Sequence, residues 1–205
     1  MARTWLVRIV VALGAVVVLG FLFLRSVRGT RAQPYTVDAR DLQGWSLEIA
    51  TDRAAATAPL LVLRPPAGLV RGLYDQLFKR AMDSLSIPEP AAIPIVLRGE
   101  AASALVGAAA PDALLAAARN AGIDERAFKP RCLGYRRVSE PTRTRQLYFL
   151  LFDAPGLAGF RSQIGLREEL SPVLLIGTSQ SDGEQWLPLR ADPARDCVAP
   201  IVTSG

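Results

Sequence analysis

The chain has 205 residues, half of them hydrophobic and 21% charged, with 15 prolines and 16 glycines in short scattered clusters. That composition excludes a disordered polymer, and the length favours one globular unit over two large domains. The net charge of +5 invites a nucleic-acid reading only until it is located. Arg3, Arg8, Arg25, Arg28 and Arg31 all precede the first acid, Asp38, and removing these five from 24 basic residues leaves 19 against 19 acidic ones. A fold that draws its affinity from neutralising phosphates would carry the excess in its folded part, so no nucleic-acid partner is expected.

Residues 9–24 read IVVALGAVVVLGFLFL and contain no charge. Counted from Trp5 to Leu24 with Arg8 snorkelling, the run gives about 30 Å of helix, the thickness of a bilayer core. This predicts a single-pass anchor contacting membrane lipid through residues 5–24. The chain then divides into a cytoplasmic flank and anchor (1–24), a linker (25–44) rich in Arg, Gly and Pro, and one domain (45–205). The competing reading is a cleaved signal peptide, whose best processing mark, Thr30-Arg31-Ala32, lies well beyond the apolar run. Basic residues flank both sides of the run, so charge does not orient it. The two cysteines, Cys132 and Cys197, tilt the domain toward the periplasmic or extracytoplasmic side, where a distant pair forms a bridge.

After the linker, Trp45 to Ala50 alternates apolar and polar residues and predicts a strand; LLVLR, between Pro59 and Pro65, predicts a second, buried one. Leu69 to Leu85 carries Leu69, Leu73, Leu77 and Leu85 on one stripe and predicts a core-facing helix, stopped by Pro88 and Pro90. Ile93 to Leu97 follows as a strand, placed at a sheet edge by Pro94. Ala113 to Ala121 reads as a helix closed by Gly122. Cys132 to Val138 and Gln146 to Asp153 read as an antiparallel hairpin, and the second strand, QLYFLLFD, is apolar enough to be central and covered on both faces. Pro155 to Ile164 predicts a short helix and Pro172 to Gly177 a last buried strand. The tail from Ser179 reads as turn-rich, anchored by Trp186 and Leu187. The order β β α β α β β α β makes the fold class α+β or mixed α/β, one small domain with a mixed sheet and flanking helices, compatible with a ferredoxin-like or thioredoxin-like layering.

The chain contains no histidine. That removes the Ser-His-Asp and Cys-His constellations and every imidazole metal ligand, and two cysteines 65 positions apart do not make a zinc cluster. No metal or cofactor is expected, and no catalytic residue stands out. Arg131, Arg136, Arg137, Arg143 and Arg145, with Glu140 the only acid among them, are the densest charge cluster after the N-terminal segment. Such arginines suit a carboxylate, a phosphate or lipid headgroups, although strand alternation puts Arg136 and Arg137 on opposite faces. The candidate binding residues are these five arginines and Trp186, with Cys132–Cys197 as a disulfide. The function expected is non-enzymatic: binding another membrane or envelope protein, or organising a membrane complex. The alternatives are a histidine-independent enzyme with a polar cleft, and an anion or lipid-headgroup sensor using the arginine cluster.

Overall fold

The structure, a computed structural model, describes residues 13–22, 33–50, 58–81, 84–103, 111–139, 144–166, 170–179 and 190–205. The chain forms two compact units, residues 1–33 and 34–205. In the first, residues 13–22 are helical and exposed. Among the described residues no helix is long and apolar enough to cross a membrane; the rest of the run expected to do so, 5–12 and 23–24, lies outside them.

The second unit is a mixed α+β fold. Strands β2 (Ser46–Ile49), β3 (Pro59–Arg64) and β4 (Ile93–Leu97) form an antiparallel three-stranded sheet in that order. Strands β1 (Tyr35–Asp38), β5 (Lys129–Ser139), β6 (Thr144–Asp153), β7 (Val173–Thr178) and β8 (Cys197–Ser204) form a five-stranded sheet in the order β1-β8-β5-β6-β7. All its pairings are antiparallel except β1 with β8. The helices are α1 (Ala67–Ala81), α2 (Arg98–Ser103), α3 (Pro111–Asn120), α4 (Pro155–Gln163) and the single turn α5 (Pro193–Asp196).

Period-two burial decides which side of the larger sheet meets which core. Leu133, Tyr148, Leu150, Phe152, Leu174 and Ile176 face the main core, where they meet Leu61 and Leu63 of β3, Ile93 and Ile95 of β4, Leu69, Leu73 and Leu77 of α1, and Leu157 and Phe160 of α4. The alternate residues Cys132, Leu147, Phe149, Leu151, Val173 and Leu175 form a second buried cluster on the other side. Strand β6 is thus interior and covered on both faces, as its composition predicts. Trp45 seals one part of the main core, its ring packed against Phe152 and Phe128 at 5.5 and 6.3 Å and its indole N–H donating to the Asp41 carbonyl at 3.1 Å.

Helix α1 contacts both outer strands of the five-stranded sheet, β1 and β7, which requires that sheet to curl around it. At β1 the Gln76 side-chain amide imitates a neighbouring strand: its Oε1 accepts from Thr36 N–H at 2.9 Å and its Nε2 donates to Thr36 O at 2.7 Å. At β7, Ser86 exchanges two backbone hydrogen bonds with Thr178, at 2.7 and 3.0 Å. Both edges therefore have backbone groups covered, a common defence against edge-to-edge association. Helix α3 ends as its glycine predicts. Gly122 takes φ +70°, its N–H donates to Arg119 O, and Ile123 N–H reaches Ala118 O, both at 3.0 Å, the paired bonds of a Schellman cap.

Two strands depart from the expected order. Residues 35–38, inside the segment read as linker, form β1, and the tail read as turn-rich ends in β8. Each is the other's partner, Tyr35 opposite Ile201 and Asp38 opposite Ser204. A four-residue alternation and a run interrupted by Pro200 are weak local signals, and the pairing that stabilises them lies far away in sequence. Pro200 fits because the β5 pairing ends there, opposite Cys132, and the β1 pairing begins at Ile201. The two extra strands and the separate three-stranded sheet replace the single ferredoxin-like or thioredoxin-like layer. Helix α2 is also additional, and the predicted helix to Leu85 stops short of it: residues 84 and 85 are not helical. The edge position expected for Ile93 to Leu97 is the one β4 holds.

Gly134 tests this packing. The Phe149 ring lies directly over its Cα, so a methyl group there would occupy the ring's own volume. Gly134→Ala is expected to cost about 1–3 kcal/mol, the range for overpacking a tight core, measured as a lowered denaturation midpoint with an unchanged slope.

Candidate functional site

The β5–β6 hairpin brings several of the predicted arginines together without making them one patch. Arg136 lies on the side of β5 that carries Cys132 and Gly134, while Arg137 shares the opposite side with Tyr135, whose ring meets Tyr148 at 4.9 Å. The separation expected from strand alternation is what the strand has. Arg131 pairs with Asp153 at 2.9 Å, both about half exposed, a contact that contributes under about 1 kcal/mol. Arg145 is half-buried on β6, opposite Val138. Arg143 and Trp186 lie outside the described residues.

Arg136 is a structural residue. Its guanidinium makes a two-pronged ion pair with Asp196, through Nε to Oδ1 at 3.2 Å and through Nη2 to Oδ2, and Nη2 also donates to Arg190 O at 3.0 Å. The Asp196 side chain is only 4% exposed. Its Oδ2 accepts from Asp192 N–H at 2.7 Å, and Asp192 caps α5 by accepting from Ala194 N–H at 3.0 Å. Burial pushes the Asp196 carboxyl upward, but the hydrogen bonds from Arg136 and Asp192, with the charge of Arg136, pull harder and leave it below the usual carboxylate value. These residues hold the segment 190–196 against β5.

The disulfide completes the same attachment. Cys132 and Cys197 are bonded, with Cα atoms 5.7 Å apart, across the β5–β8 pair. Cys197 directly follows Asp196, so the covalent and the ionic links reach β5 from adjacent residues. Closing a loop of 65 residues stabilises the fold by about 4 kcal/mol in the chain-entropy account.

A second buried pair escaped sequence reasoning. Arg161 of α4, 2% exposed, donates to Glu100 of α2 through Nη2 at 2.6 Å and Nη1 at 3.2 Å, and Nη1 also reaches Ile95 O at 2.7 Å. Glu100 Oε2 in turn accepts from Leu97 N–H at 2.9 Å. The signal in the sequence is an arginine four residues after Leu157 and beside Phe160, on the apolar stripe of a short helix. An arginine placed there is buried and needs a carboxylate.

The bidentate pairs therefore serve packing, and among the described hairpin arginines Arg131 and Arg137 are exposed. Among the described residues no group of three or more Cys, Asp or Glu side chains is placed to hold a metal ion. No known family model, no curated protein and no solved structure matches the chain.

The Arg136–Asp196 pair sets an acid limit. Because the folded carboxyl lies below its unfolded value of about 3.9, its stabilisation is present above that pH and is lost as pH falls through the lower, folded value. Asp196→Asn leaves Arg136 without its counter-charge and is expected to cost roughly 2–4 kcal/mol at neutral pH. The cost should shrink below about pH 4, measured by denaturation at a series of pH values; a penalty independent of pH would deny Asp196 this role.

Proposed function

We propose that the chain is a membrane-anchored domain on the extracytoplasmic side that binds another envelope protein or organises a membrane complex, without catalysis of its own. The observation that carries the reading is the Cys132–Cys197 bridge, because disulfides persist in oxidising compartments and are rare in the reducing cytosol. The uncharged run from residue 9 to residue 24, bordered by basic residues on both sides, supports the anchor. The use of the buried charges Arg136, Asp196, Arg161 and Glu100 as ion pairs between elements of the fold supports a scaffold role.

Compartment and bridge are tested together in intact cells. A membrane-impermeant maleimide is expected to leave the protein unlabelled until a reductant is added, and then to label both cysteines. Labelling without reductant would contradict the bridge, and labelling only after lysis would put the domain on the cytoplasmic side. The partner is sought by cross-linking in native membranes, followed by reciprocal capture from the partner's side. Substrate turnover by the purified chain would replace this reading with the enzymatic one.

A further inference from the structure

The two cysteines of the bridge sit in unequal surroundings. Cys132 lies on β5, opposite Leu151 of β6 on one side and Pro200 of β8 on the other. It is 5% exposed, within the buried cluster that contains Phe149, Leu151, Val173 and Leu175. Cys197 is half-buried at the margin of that cluster, where α5 passes into β8, between buried Asp196 and exposed Val198. Exchange at a disulfide requires a thiolate and access to the sulfur that is attacked. A reagent meets Cys197 first, and it reaches Cys132 only by displacing close-packed apolar side chains.

Strand β5 also supplies the means of keeping the two sulfurs together. Cys132, Gly134 and Arg136 alternate along one side of it. Gly134 stands opposite Cys197, so the bridge to Cys132 and the ion pair from Arg136 to Asp196 flank the point where β8 meets β5. The ionic attachment consists of Arg136 Nε to Asp196 Oδ1 at 3.2 Å, Arg136 Nη2 to Asp196 Oδ2, Arg136 Nη2 to Arg190 O at 3.0 Å, and Asp192 N–H to Asp196 Oδ2 at 2.7 Å. None of these bonds involves a sulfur atom, so none is lost when the bridge opens.

We propose that Cys197 is the site at which thiol–disulfide exchange enters this domain, with Cys132 as the resolving thiol and Asp196 as a positioning residue. The co-reactant is a disulfide-bearing oxidant, small or protein-borne. The Cys197 thiolate attacks one sulfur of the oxidant, whose S–S bond breaks, and one half leaves as a thiolate that takes up a proton. The Cys132 thiolate then attacks the Cys197 sulfur and expels the other half. Two electrons pass from the cysteines to the oxidant, and the two thiol protons end on its two halves. Opening by a thiol retraces the same path. Because the ion pair holds Cys197 beside β5 before the bond exists, near the 5.7 Å Cα separation of the closed bridge, closure is an intramolecular step of the folded domain. This chemistry is independent of the partner-binding reading above.

The test uses the full chain, reduced and kept at a temperature where circular dichroism shows it folded. Glutathione disulfide is the probe, and alkylation followed by mass spectrometry is the readout. Of the two single-cysteine chains, Cys132→Ser, which keeps Cys197, is expected to form the glutathione adduct about tenfold faster than Cys197→Ser, which keeps Cys132. In urea the two rates should converge. In the unsubstituted chain the adduct is resolved quickly. Asp196→Asn should slow that closure about tenfold and let the Cys197 adduct accumulate, without slowing its formation. Arg136→Lys, which keeps the charge but not the two-pronged contact, should slow closure about threefold. All three chains should close alike in urea, where no positioning remains. Equal rates for the two single-cysteine chains, whether from equal access or from loss of the fold without the bridge, would overturn entry at Cys197. Closure at the unsubstituted rate in Asp196→Asn and Arg136→Lys would overturn the positioning role.

Discussion

The structure depends on β8 being held in place. This strand is second in the five-stranded sheet, yet it satisfies its two neighbours in succession, β5 with its first residues and β1 with its last. It therefore has less backbone pairing per residue than an interior strand usually enjoys, and Pro200 removes one donor from it. What compensates is concentrated at its start, where the Cys132–Cys197 bond and the Arg136–Asp196 pair tie adjacent residues to β5. With β8 fixed, β1 has a partner, and with β1 in place α1 has an edge to cover through Gln76. The curl of the sheet follows from this chain of dependencies, because one helix spans both outer strands.

Local patterning was legible wherever the burying partner lay nearby or the stripe was long. The apolar density of QLYFLLFD correctly marks a central strand, Pro94 marks an edge, and Gly122 marks a helix end by a left-handed residue that only glycine takes cheaply. The strands that went unread are β1, four residues long, and β8, whose apolar run is interrupted by Pro200, and the partner that gives β1 its pairing lies across most of the domain's sequence. Long-range pairing has no local signature, which is why an order of elements was recoverable and a sheet order was not.

The candidate site was legible in the same partial way. Alternation alone separates Arg136 from Arg137, and two distant cysteines in a histidine-free chain indicate a bridge. Nothing local distinguishes the arginine that meets a buried carboxylate from the one that meets solvent. That difference depends on Asp196, sixty positions away from Arg136.

The parallel contact between β1 and β8 carries a consequence for how the chain matures. The first strand to emerge during synthesis must wait for nearly all of the remaining domain before its partner exists, and the thiols that lock the pair in place come from either side of the β6–β7 region. Until then the sheet is unfinished. Until the distal strand arrives, the N-terminal strand and the helix beside it offer uncovered backbone and apolar surface to holding chaperones. The rate of assembly is then governed by a long-range closure, so the interval in which this domain is most prone to capture or misassembly lasts until β8 has been made.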